Sequence, residues 1–316
     1  MAGMTICVMG IFVADLAFKT PRLPAWGETV LGTDFRVGPG GKGSNQAVAA
    51  ARAGGSVAFI TKLGEDTFGR MARELYAAEG IDATHVYGTD RQGTGGAAIL
   101  VDDKGENAIV VTAGAAEALT AADIAGAEGL ISRAALFMTQ LELPVPIAAE
   151  GLRLARRHGR LTILNPAPAA PVPDEVMSLV DILTPNETEA EGLTGLPVRS
   201  IEDAAAAAER LLARGAGTVV LTLGAKGALV HGRKIHRLVP AVDAGPVVDT
   251  TGAGDAFNGG LAVALAEGKE LVDAVRFACT VAGISVTRPG TAPSMPKRAE
   301  VAALMAASVA QERAAT

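Results

Sequence analysis

Cysteine is almost absent: Cys7 and Cys279 are the only two among 316 residues. Both stand in apolar segments, which argues against a disulfide framework or a cysteine-built zinc site and predicts buried, reduced thiols in a cytosolic protein. An excess of basic residues is missing as well. Twenty-eight Lys and Arg face 34 Asp and Glu, for a net charge of -6, so no broad face can neutralise phosphates and no general affinity for nucleic acid or anionic membrane is expected. The N-terminal segment lacks a basic region, Asp15 interrupts its apolar run, and no uncharged apolar stretch reaches the ~18 residues that span a bilayer. Neither secretion nor membrane insertion is expected. Aromatics are few, with one Trp and two Tyr. The four histidines, His85, His158, His231 and His236, show no triad or metal spacing and are expected at the surface.

What is present is the composition of a globular enzyme, 49% hydrophobic and 20% charged. Short apolar runs at Thr5–Gly10, Ser56–Thr61, Ala135–Gln140, Leu161–Asn165, Asp181–Thr184 and Thr218–Leu223 read as buried strands. Between them, Thr67–Glu79, Ile147–His158, Ile201–Arg214, Gly254–Glu267 and Leu271–Thr287 carry helical patterning, with Gly80, Gly159 and Gly215 as stops. Alternating strand and helix predicts an α/β fold with a mostly parallel central sheet flanked by helices. Two stretches break the rhythm. Residues 13–37 hold Pro21, Pro24 and two alternating runs, and residues 96–111 read strand, turn, strand around Asp102-Asp103-Lys104-Gly105. Both are hairpin material, expected to form a small β-sheet lid over a core made of residues 1–12, 38–95 and 112–316.

In an open parallel sheet, ligands bind beyond the carboxyl ends of the strands. The segment Asp249-Thr250-Thr251-Gly252-Ala253-Gly254-Asp255-Ala256-Phe257-Asn258-Gly259-Gly260 runs from a small-residue turn straight into an apolar helix. Gly252, Ala253 and Gly254 leave room for a phosphate at a helix N-terminus, where amides and dipole favour negative charge. Asp255, in the first turn, is placed to take the proton of an attacking hydroxyl; a plain helix cap is the alternative. A second cluster, Gly38-Pro39-Gly40-Gly41-Lys42-Gly43-Ser44-Asn45, formally matches G-x-G-x-x-G. It lacks the strand context of a dinucleotide fingerprint, and Gly43 stands where a P-loop needs Ser or Thr. A sugar-binding turn or a plain helix entry fits better. Asn186 and Glu189 share a face of a starting helix and suit either magnesium-bound phosphate or a helix cap. Thr222-Leu223-Gly224-Ala225-Lys226-Gly227 suits nucleotide phosphates or a simple hairpin. Asp15 and Glu142 each follow a strand and bring two carboxylates to the edge where Asp255 is expected.

The two glycine-rich segments in this order, with Leu164-Asn165-Pro166-Ala167-Pro168 and Thr184-Pro185-Asn186-Glu187-Thr188-Glu189-Ala190-Glu191 between them, resemble the ribokinase-type (PfkB) family of carbohydrate kinases from about Thr5 to Pro296. The resemblance implies transfer of the γ-phosphoryl group of ATP to a primary hydroxyl of a small sugar, D-ribose in the first instance. It implies a sugar site of Asp15, Gly41, Lys42, Asn45 and Glu142, with Val13 towards the secondary hydroxyls. Asp255 becomes the base, and Gly252, Ala253 and Gly254 its anion hole. Asn186, Thr222, Gly224, Gly227 and Gly254 would face the nucleotide, Cys279 would lie on the adenine side, and Glu189 would act on the Mg2+-bound phosphates. A K+-type ion is implied near Asp249, Thr251, Ser285, Arg288, Gly290 and Ser294, several of them through backbone carbonyls, and a homodimer through the lid. Val13 and Cys279 depart from the family, which usually carries Asn at the first position and often His or Asn at the second. Alternatives are a kinase for 2-deoxyribose or another pentose-like sugar, a nucleoside kinase, and a sugar-binding protein without catalysis.

Overall fold

The computed structural model describes residues 5–314. Its strands in chain order are β1 (Thr5–Met9), β2 (Val13–Lys19), β3 (Asp34–Gly40), β4 (Ser56–Gly64), β5 (Val86–Thr89), β6 (Thr94–Val101), β7 (Asn107–Gly114), β8 (Leu136–Thr139), β9 (Leu161–Leu164), β10 (Ile182–Leu183), β11 (Thr218–Thr222), β12 (Ala228–Gly232) and β13 (Ile235–Val239). The helices are α1 (Lys42–Arg52), α2 (Thr67–Ala78), α3 (Ala121–Gly126), α4 (Glu128–Ile131), α5 (Val145–Arg157), α6 (Asp174–Met177), α7 (Glu187–Thr194), α8 (Ile201–Ala213), α9 (Ala253–Ala266), α10 (Leu271–Ser285) and α11 (Arg298–Ala314).

Nine strands form the central sheet in the order β13-β12-β11-β10-β9-β8-β1-β4-β5. From β11 to β5 every neighbouring pair is parallel, while β12 and β13 close one edge as an antiparallel hairpin. The near-continuous apolar character of these runs follows from their position: helices cover both faces, so both sets of side chains are buried. Val8 and Phe59 pack with Val48, Phe257 and Val275 on one side of the sheet, and Met9, Ile60, Phe137, Leu152 and Leu211 pack on the other. Among the described residues no helix is long and apolar enough to cross a membrane.

The two rhythm-breaking stretches form a second sheet in the order β3-β2-β6-β7. The sequence suggested two hairpins; the pairing that joins them is parallel, β2 against β6. Both β3 and the β6-β7 hairpin run past the expected limits, reaching Gly40, Thr94 and Gly114, because their inner ends continue as paired strands down to the core. Phe18, Phe35, Val37, Ile109, Val110 and Val111 are left exposed, and Trp26 is wholly so in the β2-β3 connection. The histidines are not all superficial. His85, His158 and His231 are half-buried, the first against Tyr87, the second against Glu128 and the third between His236 and Glu209, since each sits where its element meets a neighbouring one.

What brings the two glycine-rich segments together is a close helix contact. A Cβ on Gly259 of α9 would lie 2.5 Å from the Ala49 Cβ and 2.8 Å from the Gln46 carbonyl oxygen of α1. One on Gly260 would lie 2.9 Å from Val281 of α10. Two adjacent glycines therefore let α9 sit between α1 and α10 at backbone distance. Gly259→Ala should force α1 and α9 apart and cost about 1–3 kcal/mol of stability, as overpacking does; urea unfolding measures it, and an unchanged midpoint would refute the close contact.

Candidate active site

Helix α9 begins at Gly252, whose φ of 79° is a left-handed conformation that glycine adopts without strain. No side chain caps this helix end, so the capping role considered for Asp255 is not the one it plays. Its carboxylate turns inward, is 6% exposed, and accepts hydrogen bonds from Asn45 Nδ2 at 3.1 Å and Gln46 Nε2 at 3.0 Å. The amides of Gly254 and Asp255 fall in the first helical turn, where the helix itself supplies no carbonyl partner. A Cβ on Gly254 would meet nothing within 4 Å, so the space over this turn is open.

Around Asp255 stands a cluster of like charges with one cation among them. Asp15 lies inside β2, its carboxylate packed against Gly40, where an added Cβ would lie 2.1 Å from Asp15 Oδ1. Glu142, in the turn after β8, accepts the Lys42 backbone N–H at 2.8 Å. Burial works against the Lys42 ammonium, but Asp255, Glu142 and Glu189 outweigh it and hold its pKa above the ordinary value. The carboxyls feel the reverse. Burial, with the Asp255 charge beside it, lifts Asp15 to about 6; burial lifts Glu142 to about 7 against the opposing pull of Lys42. Asp255 and Glu189 are also raised, again by burial first.

Two cavities meet here. The larger, about 540 Å³, lies over the β11-β12 turn and the start of α9, and its lining includes Thr222, Gly224, Gly227 and Cys279. The smaller, about 140 Å³, is bounded by Lys42, Glu189, Gly252 and Asp255. Asn186, Thr222 and Gly254 line both, so the two cavities are adjacent. Asn186 and Glu189 also form a reciprocal cap on α7, each accepting the other's backbone N–H, at 2.8 and 2.9 Å. Of the two readings of that pair, the helix cap is the one these bonds form. Burial pushes the Cys279 thiol up to about 12, so it faces the larger cavity as a neutral group.

Val13 is 2% exposed, sits in an apolar cluster with Ile11 and Ala97, and lines neither cavity. Gly41, with φ of 89°, starts α1 where an added Cβ would lie 2.6 Å from the Ile11 carbonyl oxygen. The residues expected around a monovalent ion gather in part. Asp249 accepts from the amides of Thr251 and Gly290, both at 2.9 Å, tying the anion-hole turn to the loop after α10. Arg288 instead pairs with Glu300, and the Ser285 and Ser294 hydroxyls bond nearby carbonyls of their own segment. Among the described residues no group of three His, Cys, Asp or Glu side chains could hold a metal ion.

The sequence reading assigned no role to Gln46, Gln140, Asn165, Thr184 or Asn258, all buried and all in one polar chain that reaches Asp255. The signal was there: polar residues directly after buried strands, and polar positions in the otherwise apolar faces of α1 and α9.

A nucleotide-sized cavity beside a small polar one at a helix N-terminus, with a buried carboxylate in the wall of the smaller, has the geometry of a phosphotransferase. Comparison with known proteins gives the particular group. Residues 4–298 match the model of the pfkB family carbohydrate kinases. The chain is 41% identical to a ribokinase of Haemophilus influenzae over 94% of its length and 96% of the relative's. It is 36% identical to a deoxyribokinase of Salmonella typhi, over 93% and 96%. The solved structure of an Arabidopsis thaliana ribokinase complexed with ribose and ATP superposes with a TM-score of 0.89 at 32% identity, covering 96% of this chain and 99% of that one. The chain belongs to the pfkB family of carbohydrate kinases.

The raised carboxyls have a consequence for stability. Between about pH 4.5 and 7 the folded protein keeps protons on Asp15 and Glu142 that the unfolded chain has released, so these two groups weaken the fold increasingly as pH rises through that window. Glu142→Gln removes one of them while keeping an oxygen for the Lys42 amide. Its melting temperature relative to wild type should therefore climb from about pH 5 to about pH 7.5, and a constant difference would contradict the raised value.

Proposed function

We propose that the protein phosphorylates the primary hydroxyl of D-ribose from ATP, giving ribose 5-phosphate, with Asp255 as the general base. The junction of the two cavities over Gly254, with Asp255 beyond it, is the observation that carries this reading. The larger cavity holds the nucleotide: Thr222, Gly224 and Gly227 present a strand-end turn to its phosphates, while Cys279 and neighbouring apolar residues cover the base. The sugar lies by Lys42 with its hydroxyls towards Asp15, Asn45 and Glu142. Asp255 takes the proton as the hydroxyl attacks, and the amides from Gly252 to Asp255 receive the charge on the transferring group. Lys42, whose ammonium three carboxylates keep charged, faces that charge from the side.

Asn186 lines both cavities and Glu189 the smaller one, and the pair fits a Mg2+ held mainly by phosphate oxygens and water, since Asp255, the other carboxylate lining the smaller cavity, already accepts from Asn45 and Gln46. Bound magnesium would screen the phosphate charges during transfer. A K+ ion fits the Asp249 loop through backbone carbonyls, because both Asp249 oxygens already accept amide hydrogens. The small sheet is a lid over the sugar, and its exposed apolar face is covered by the lid of a second copy; the setting is cytoplasmic. 2-Deoxyribose is a second candidate substrate, as the deoxyribokinase relative suggests; Val13, expected towards the sugar's secondary hydroxyls, is buried away from both cavities and does not bear on the choice.

Asp255→Asn should lower kcat roughly a hundredfold or more while leaving the fold intact, the scale expected for a positioned base. A coupled ADP-release assay with ribose and 2-deoxyribose reads this, and near-normal turnover would sink the assignment. Run in potassium against a bulky organic cation at matched ionic strength, wild type should be faster in potassium. Light scattering at micromolar concentration should give the mass of a dimer, and Val110→Lys with Phe35→Glu should give that of a monomer.

A further inference from the structure

The chain of buried amides behind Asp255 has a direction that two fixed groups impose. Asn165 donates its Nδ2 to the Thr184 backbone carbonyl at 3.0 Å, and a carbonyl can only accept. Asn165 Oδ1 must then face Gln46, and Asp255 Oδ1 faces the same Gln46 nitrogen; the distances are both 3.0 Å. Two acceptors thus hold the NH2 end of Gln46, and its oxygen points the other way, to Gln140 Nε2 at 2.6 Å. The one group left over is Gln140 Oε1, buried without a partner. It is lodged where Gly10 and Gly43 lack side chains: a Cβ on Gly10 would lie 2.3 Å from it, and one on Gly43 2.9 Å. Gln46 is 0% exposed and Gln140 1%, so bulk solvent does not reach these bonds.

We propose that Gln46, held by Gln140, is a positioning residue that fixes the carboxylate of Asp255 and keeps it ionised, without touching the sugar or the nucleotide. The reasoning rests on the reading of Asp255 as the base. Gln46 is wholly buried and lines neither cavity, Asn45 is nearly as buried, and Lys42 lines the smaller cavity. Its N–H opposes the burial that raises the Asp255 pKa, alongside Lys42 and Asn45. The other charged groups facing Asp255 are Asp15 from β2, Glu142 from the turn after β8, and Glu189 from α7, and all three favour its protonation. Loss of the Gln46 donor should therefore move the acid limb of kcat/KM to higher pH.

Two variants test this. Gln46→Met removes the donor, and Gln46→Glu places a carboxyl of the same shape beside Asp255 so that the pair shares a proton. Expected are a fall in kcat of at least about tenfold at pH 7 in both, a sugar KM within about threefold of wild type, and an acid limb raised by at least about half a pH unit in Gln46→Met and more in Gln46→Glu. If neither folds, Gln140→Met decides alone: it leaves every bond to Asp255 in place but strands the Gln46 oxygen, and its acid limb should rise by a smaller amount. A folded variant whose kcat falls while the acid limb stays put makes Gln46 structural only and overturns the proposal. The Asp255→Asn assay is separate: high activity there removes the base, whereas an unmoved limb in the Gln46 variants removes only the positioning role.

Discussion

A carboxylate can be buried only if donors come with it, and at Asp255 those donors come from residues more than two hundred positions earlier in the chain. Much of the architecture serves that requirement. Gly259 lets α9 approach α1 closely enough for Asn45 and Gln46 to reach the carboxylate, and Gly260 lets α10 support α9 from the other side. Gln46 in turn needs Asn165 and Gln140, which stand at the ends of β9 and β8. The carboxyl edge of the sheet is thus built around one buried acid, and the glycine turn before it is what remains open to ligands.

The same burial explains the electrostatics. Three carboxyls, Asp255, Glu142 and Glu189, converge on Lys42 and Asp15 stands near Asp255, and burial raises the pKa of all four. Lys42 is correspondingly more firmly protonated. Such an arrangement is costly in an empty protein and suited to a reaction in which a hydroxyl proton moves to one carboxyl while phosphate charge arrives beside the ammonium. A fold that held only a neutral, well-paired cluster there would be more stable and would have no base.

The second sheet obeys a different constraint. Its four strands expose Phe18, Phe35, Val37 and Val110 on one face and Ile109 and Val111 on the other, more apolar surface than an isolated sheet keeps in water without cover. Its inner end is fixed by β2 and β3, which run directly from β1 and into α1, so Asp15 and Gly40 are carried on the same strands that form the sheet. Movement of this sheet would move the Asp15 carboxylate with it.

The sequence alone determined what depends on local chemistry. Alternating apolar runs and helical stretches announced a parallel α/β sheet, because burial on both faces demands apolar strands. Gly252 and Gly254 announced a helix N-terminus open to an anion, because only small residues leave that space. Family resemblance supplied the expected sugar and nucleotide residues. Tertiary structure decided what depends on which segments meet. That Asp255 is held by amides rather than capping its helix follows from the α1-α9 contact, and no spacing within either segment encodes it. That β2 pairs in parallel with β6 follows from how two distant hairpins dock. That Gln46 shows its nitrogen and not its oxygen to Asp255 depends on a backbone carbonyl at Thr184, distant in sequence and linked to Gln46 through Asn165. Hydrogen-bond direction is set by the partner at the far end of a chain of groups, and such partners are adjacent only after the sheet has assembled.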